Sequence, residues 1–130
     1  MLFSALRAFI VRFKIRAYVH EKKRKYSLIE PGVEYLKAHI HDISLKTEKL
    51  HLLSGISDTY FRKIFKSEFN MTPREYVLTR RLSDAKAIIE SGDYDSISEL
   101  SESVGYKDAL YFSKAFKSFY GFAPSYIDKE

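Results

Sequence analysis

Apolar residues recur along this chain at intervals of three and four, the spacing that lines one side of an α-helix. Leu2, Leu6, Phe9, Ile10, Phe13 and Ala17 predict an N-terminal amphipathic helix over residues 2–17. Glu21–Lys25 interrupts the pattern and reads as a solvated linker. A leading helix over about 31–41 follows, with Val33, Leu36 and Ile40 inward. Next comes a short helix over 47–54 with Leu50 and Leu53 inward, then one over 57–69 with Phe61, Ile64, Phe65 and Phe69 inward. The longest clean stripe after the N-terminus is Leu78, Leu82, Ala85 and Ile89, between Pro73 and Gly92. Ile97, Leu100 and Val104, then Phe112, Ala115 and Phe116 with Phe119 or Tyr120, complete the series.

The punctuation agrees with this division. Thr72-Pro-Arg-Glu75 and Ser96-Ile-Ser-Glu99 have the form of capping boxes, and Pro73 stands at a first helical position where its missing N–H costs nothing. Ser57 or Asp58, and Asp108, are placed to cap the helices they precede. Gly55, Gly92 and Gly105 fall where a chain leaving a helix often needs positive φ. With three prolines and five glycines in 130 residues, turn-rich β-architectures are disfavoured and the fold class is all-α.

Self-comparison exposes a duplication. Tyr60-Phe-Arg-Lys-Ile-Phe-Lys-Ser-Glu-Phe-Asn-Met-Thr-Pro73 returns as Tyr111-Phe-Ser-Lys-Ala-Phe-Lys-Ser-Phe-Tyr-Gly-Phe-Ala-Pro124, with seven of fourteen positions identical at an offset of 51. Leu50 and Gly55 return as Leu100 and Gly105. Each copy reads as helix, short glycine-containing turn, helix, which is the helix-turn-helix arrangement. The long helix between the copies, about eighteen residues at ~1.5 Å each, spans ~27 Å. That approaches the ~34 Å between successive major-groove segments on one side of a duplex. The expected organisation is 1–26 basic amphipathic helix and linker, 27–72 first helix-turn-helix subdomain, 73–91 linker helix, and 92–130 second subdomain.

Charge narrows the partner. The chain carries a net +5, but residues 1–26 hold eight Lys/Arg and one acid, so residues 27–130 sum to −2. An argument for nucleic acid must therefore rest on local placement. The longest uninterrupted apolar run near the N-terminus, Ala8–Val11, falls far short of the about 20 residues a membrane span needs. Four readings of residues 2–17 remain open: docking on a domain, dimerisation, adsorption to anionic lipid, and a presequence-like leader. With no Cys, thiol catalysis, disulfide scaffolds and Cys-rich zinc modules are excluded. His39 and His41 are two apart, on different sides of a helix, and no metal site is expected. No glycine-rich phosphate loop or nucleophile constellation occurs, so no catalytic residue and no cofactor is assigned.

The outward faces carry the candidate chemistry. Thr59, Arg62 and Lys63 in the first copy, and Ala109, Leu110, Ser113 and Lys114 in the second, point away from the phenylalanine faces. Arg and Lys donate to guanine edges, Ser and Thr to several edges, and small apolar side chains meet thymine methyls. These residues are the candidate base contacts. Ser57, Tyr60 and Lys66, with Lys107, Tyr111 and Lys117, are the candidate phosphate contacts. Phe61, Phe65, Phe112 and Phe116 are expected in the core, not in a base-stacking platform.

From about Ile29 to Tyr126 the chain resembles the DNA-binding region of the AraC/XylS family of bacterial transcription regulators. The resemblance rests on Ser57-Asp-Thr-Tyr-Phe-Arg-Lys-Ile-Phe-Lys66, Arg81-Leu-Ser-Asp-Ala-Lys86 and the stretch Ile97–Pro124. It implies two helix-turn-helix subdomains joined by one helix, with double-stranded DNA as partner and recognition helices over 57–69 and 108–120. It also implies a cytoplasmic regulator, commonly an activator, that works near RNA polymerase. Family members commonly carry a ligand-sensing or dimerising domain ahead of this region, and residues 1–26 are expected to be the end of one. Three positions depart from the family pattern. His51 stands where a small residue is usual, which predicts looser packing; Asn70 replaces a glycine; and Tyr126 comes one place early. The alternative reading is a degenerate interaction module that pairs with a regulator or RNA polymerase without binding DNA. The near-neutral charge of residues 27–130 motivates it. Self-association through residues 2–17 is a separate expected partnership.

Overall fold

The computed structural model describes residues 2–128; Met1, Lys129 and Glu130 lie outside the described residues. Seven α-helices, α1 (Leu2–Ala38), α2 (His51–Ser54), α3 (Asp58–Phe69), α4 (Pro73–Ser91), α5 (Ile97–Ser103), α6 (Ala109–Tyr120) and α7 (Pro124–Asp128), account for most of them, with a 3₁₀ turn at Thr47–Lys49. No strand occurs among the described residues.

The N-terminal and leading helices are one. Residues 21–25, expected as a linker, are helical, because Glu, Lys and Arg are good helix formers and Glu21 pairs with Lys25 one turn on at 3.3 Å. Pro31 lies inside α1 and cannot donate to the Ser27 carbonyl. The helix persists through it because Ile29, Val33 and Leu36, all at 0% exposure, are held by packing on both sides of the proline. The boundary expected at residue 26 therefore falls within a continuous helix.

Two separate cores form. The first gathers Ile29, Val33 and Leu36 from α1, Phe61, Ile64 and Phe65 from α3, and Leu50 and Val77. The second gathers Leu82, Ala85 and Ile89 from α4 with Leu100, Val104, Tyr106, Phe112 and Phe116. Phe61, Phe65, Phe112 and Phe116 are all fully buried, each contributing about 1.5–3 kcal/mol by burial. Helix α4 belongs to both cores, through Val77 near its start and through Leu82 and beyond. Its start is fixed by a reciprocal capping box: Glu75 N donates to Thr72 Oγ1 at 3.2 Å and Thr72 N to Glu75 Oε2 at 3.0 Å. Gly92, at φ 73°, ends it.

Several local expectations change. Leu53, expected inward, is 52% exposed, because Thr47–Ser54 divides into a 3₁₀ turn and a single helical turn that presents only Leu50 to the core. Of Phe119 and Tyr120, the tyrosine packs on the second core. His51 finds a partner in its crowded place: Nδ1–H donates to the Ile56 carbonyl at 2.9 Å, tying the first turn across its ends. Asn70 takes positive φ (59°) after α3, the conformation its residue type tolerates better than most. The tail forms α7, which packs on α4, with Ile127 against the second core. Docking of residues 2–17 on this domain does not occur. Phe3, Leu6, Phe9 and Phe13 are 55–80% exposed, while the residues of α1 that join the first core are Tyr26, Ile29, Val33 and Leu36.

Candidate nucleic-acid interface

Both candidate reader helices start on a well-made cap. Ser57 Oγ accepts from Tyr60 N at 3.1 Å, and Asp108 Oδ1 accepts from Leu110 N at 2.8 Å and Tyr111 N at 3.3 Å. The Ser57 hydroxyl keeps its proton free to donate. Opposite the buried phenylalanines, Thr59, Arg62, Lys63 and Lys66 of α3 are exposed. On α6, Leu110, Tyr111, Lys114 and Lys117 are exposed, while Ala109 and Ser113 are half-buried. Tyr60 is half-exposed and Lys107, ahead of the cap, is exposed. None of the thirteen sequence-assigned residues is in a core.

Arg62 is held rather than free. Its Nε lies 3.2 Å from Asp58 Oδ2, one turn earlier on α3. The arginine is mostly exposed and the pair adds little stability, while Asp58 is the more buried partner.

A concave path joins the two candidate reader helices. A groove of about 330 Å³ beside α3 is lined by Thr47, Asp58, Arg62, Thr72 and Arg74. A larger groove of about 970 Å³ shares Thr47, Thr72 and Arg74 and continues to Lys107, Asp108 and Tyr111 at the start of α6. Arg62 and the start of α6 therefore open onto connected space, with Arg74 between them. Thr47 and Arg74 escaped the sequence reading. The signal for Arg74 was present: a cation in the first turn of a helix opposes the helix dipole, an arrangement that stability alone disfavours.

Three of the four histidines, His39, His41 and His51, have local partners. His39 stacks on Tyr35 at 3.9 Å and its Nδ1 donates to the Tyr35 carbonyl; His41 Nε2 reaches Asp84 Oδ2 at 2.7 Å. Among the described residues no group of three or more His, Cys, Asp or Glu is placed to hold a metal ion, and no helix is long and apolar enough to cross a membrane.

Comparison with known proteins places this geometry. Residues 53–129 match the family described as "Helix-turn-helix domain". The chain is 33% identical over 132 residues to the Msm operon regulatory protein of Streptococcus mutans, covering 99% of this chain and 46% of that protein. It is 34% identical over 98 residues to the raffinose operon transcriptional regulatory protein RafR of Pediococcus pentosaceus, covering 75% of this chain and 35% of that one. The chain thus spans about half the length, or less, of the curated relatives it matches. Among solved structures, the DNA-binding domain of AdpA, crystallised with a target DNA, superimposes with a TM-score of 0.69 at 22% identity, covering 78% of this chain and 89% of that one. With the family matched across more than half of its residues, and with the two-unit helical fold in place, the chain belongs to the AraC/XylS family of helix-turn-helix transcription regulators.

Proposed function

We propose that this chain binds double-stranded DNA sequence-specifically and regulates transcription, as an activator, by placing α3 and α6 in adjacent major-groove segments. The observation that carries the reading is the connected path from Arg62 to Tyr111 beside two capped helices whose outer faces hold Thr59, Arg62 and Lys63, and Ala109, Leu110, Ser113 and Lys114. The 19 residues of α4 set the two helices apart by about 28 Å of rise, comparable with the groove repeat. Ser57, Tyr60, Lys66, Lys107, Tyr111 and Lys117 take phosphates, and Arg74 joins them where the intervening backbone crosses the groove. The protein acts in the bacterial cytoplasm, beside RNA polymerase, and performs no catalysis.

The test is a pair of variants in a mobility-shift titration on a duplex obtained by in-vitro selection. Arg62→Ala costs about 1–3 kcal/mol and relaxes preference at one base position, whereas Lys117→Ala weakens binding on all sequences alike. Log affinity falls against log salt with a slope of roughly −0.9 per phosphate contacted. Unchanged affinity in both variants, or a flat salt response, sinks the reading.

The exposed apolar residues of α1 favour a second role beside the first. We assign self-association to residues 2–17, where Phe3, Phe9 and Phe13 are exposed along one helix. A stable protein partner with no duplex binding at low salt would instead favour the pure interaction module.

A further inference from the structure

One side chain in the middle of α4 touches both helix-turn-helix units. Arg81 Nε donates to the Ile40 carbonyl at 2.6 Å, and its Nη2 donates to the Asp42 carbonyl at 2.7 Å. Both acceptors lie just past the end of α1, where carbonyls have lost their helical donors. On its other side the guanidinium carbon lies 5.7 Å from the centre of the Tyr106 ring, which is buried in the second core. Gly105 makes that approach possible: at φ +110°, a Cβ there would stand 2.5 Å from Arg81 Nε. Burial pushes the Arg81 guanidinium below its usual pKa, and Tyr106 and Asp42 act against that shift.

The position matters because the two cores have no residue in common. What links the units is α4 itself and whatever bridges from its flank. A second tie from just past the end of α1, His41 Nε2 to Asp84 Oδ2 at 2.7 Å, is a single contact from a half-exposed ring, and its carboxylate is shared with Arg80 of the same helix at 3.2 Å. Arg81, itself half-buried, differs in engaging a rigid planar fork on two carbonyls with one face over an aromatic ring of the second core.

We infer that Arg81 is a positioning residue: it fixes the rotation of the second unit about α4 relative to the first, and so the spacing between the two DNA half-elements that the chain accepts. The spacing part rests on the DNA-binding reading; the rotational part does not. Adding one base pair between half-elements turns the second by about 34° and moves it about 3.4 Å. A locked pair of readers rejects that change, and a loosened pair absorbs it.

The absence of cysteine from the chain allows a clean measurement on the whole protein. Spin labels at Ser67→Cys on α3 and Ser118→Cys on α6, both exposed and outside the assigned contacts, report the distance between reader helices by pulsed electron resonance. The otherwise unsubstituted chain is expected to give one narrow distance distribution, and Arg81→Ala a broadened one at unchanged helical circular dichroism. On selected duplexes, a one-base-pair insertion is expected to weaken the parent chain about tenfold but Arg81→Ala less than about threefold, taking tenfold as about 1.4 kcal/mol. Arg81→Lys keeps the charge and loses the fork, and should fall between them in both readouts. It carries the test if the alanine variant does not fold. A distance distribution as narrow as the parent's in a folded variant overturns the proposal, and so does a spacing profile merely scaled down with its shape intact. If the parent chain binds no selected duplex, the DNA-binding reading fails with the spacing claim, while the distance distribution still judges the rotational one.

Discussion

Replacing Gly32 by alanine tests how closely α1 and α3 must meet to hold the first core together. A Cβ at position 32 would lie 2.5 Å from Phe61 Cε2, 2.8 Å from Phe61 Cζ and 3.0 Å from the Leu50 carbonyl oxygen. Carbon atoms settle at about 3.5–4.0 Å, so the ring must retreat by about 1 Å. It has nowhere easy to go: Phe61 is at 0% exposure and stacks on Phe65 at 6.2 Å. Overpacking of this kind costs about 1–3 kcal/mol. Alanine's better helix propensity returns about 0.8–1.0 kcal/mol. With the third contact on rigid backbone, the upper part of the range applies, and Gly32→Ala should destabilise the first unit by about 1–2 kcal/mol. At about 4–8 °C per kcal/mol for a unit of this size, the midpoint should fall by about 4–16 °C. Thermal and urea unfolding followed by far-ultraviolet circular dichroism measure it. The same substitution in a Phe61→Leu background, where the shorter side chain leaves room, should lose most of that penalty. Stability equal to or above the parent chain in the Phe61 background would refute the claim that the ring is confined.

Other outcomes follow from single features. Asn70 closes α3 at φ 59°, so Asn70→Ala should cost about 1 kcal/mol while Asn70→Gly should match or exceed the parent in urea midpoint. Burial pushes the Tyr106 hydroxyl up to about 12 from 10.0. Because the unfolded chain ionises first, stability is full below about pH 10 and is lost as pH rises towards 12, by a few kcal/mol at most. Tyr106→Phe should flatten the urea midpoint over that window by a corresponding amount, and parallel curves would contradict the assignment. Self-association through residues 2–17 must bring Arg7, Arg12, Lys14 and Arg16 of two copies together, so it should strengthen with added salt, whereas duplex binding weakens. Sedimentation in both salt regimes separates the two, and association that weakens with salt would point to an acidic partner.

The local grammar was legible from the chain alone. Caps at Ser57, Thr72, Ser96 and Asp108 and terminators at Gly55, Asn70 and Gly92 are short-range events, decided by which residue can donate, accept or turn where a helix begins or ends. The four core phenylalanines and the outward faces opposite them followed from helical spacing, because burial of an amphipathic stripe dominates the placement of a short helix. That reasoning weakened where local signals opposed long-range packing. Residues 21–25 looked like a linker and Pro31 like a helix start, yet α1 runs through both. Leu53 had the right spacing and lies outside, because the helix meant to bury it is one turn long.

What the order of residues determined, then, was an all-helical chain with a duplicated helix-turn-helix unit and basic outer faces, each consequence arising within a few turns of its cause. Only the tertiary structure decided how those units sit. Gly32 sets how closely α1 meets Phe61, and Arg81 reaches from the turn beside Gly105 to carbonyls some forty residues away in the chain. Such contacts have no period and no local signature, since they depend on which backbone atoms folding brings within reach of one another.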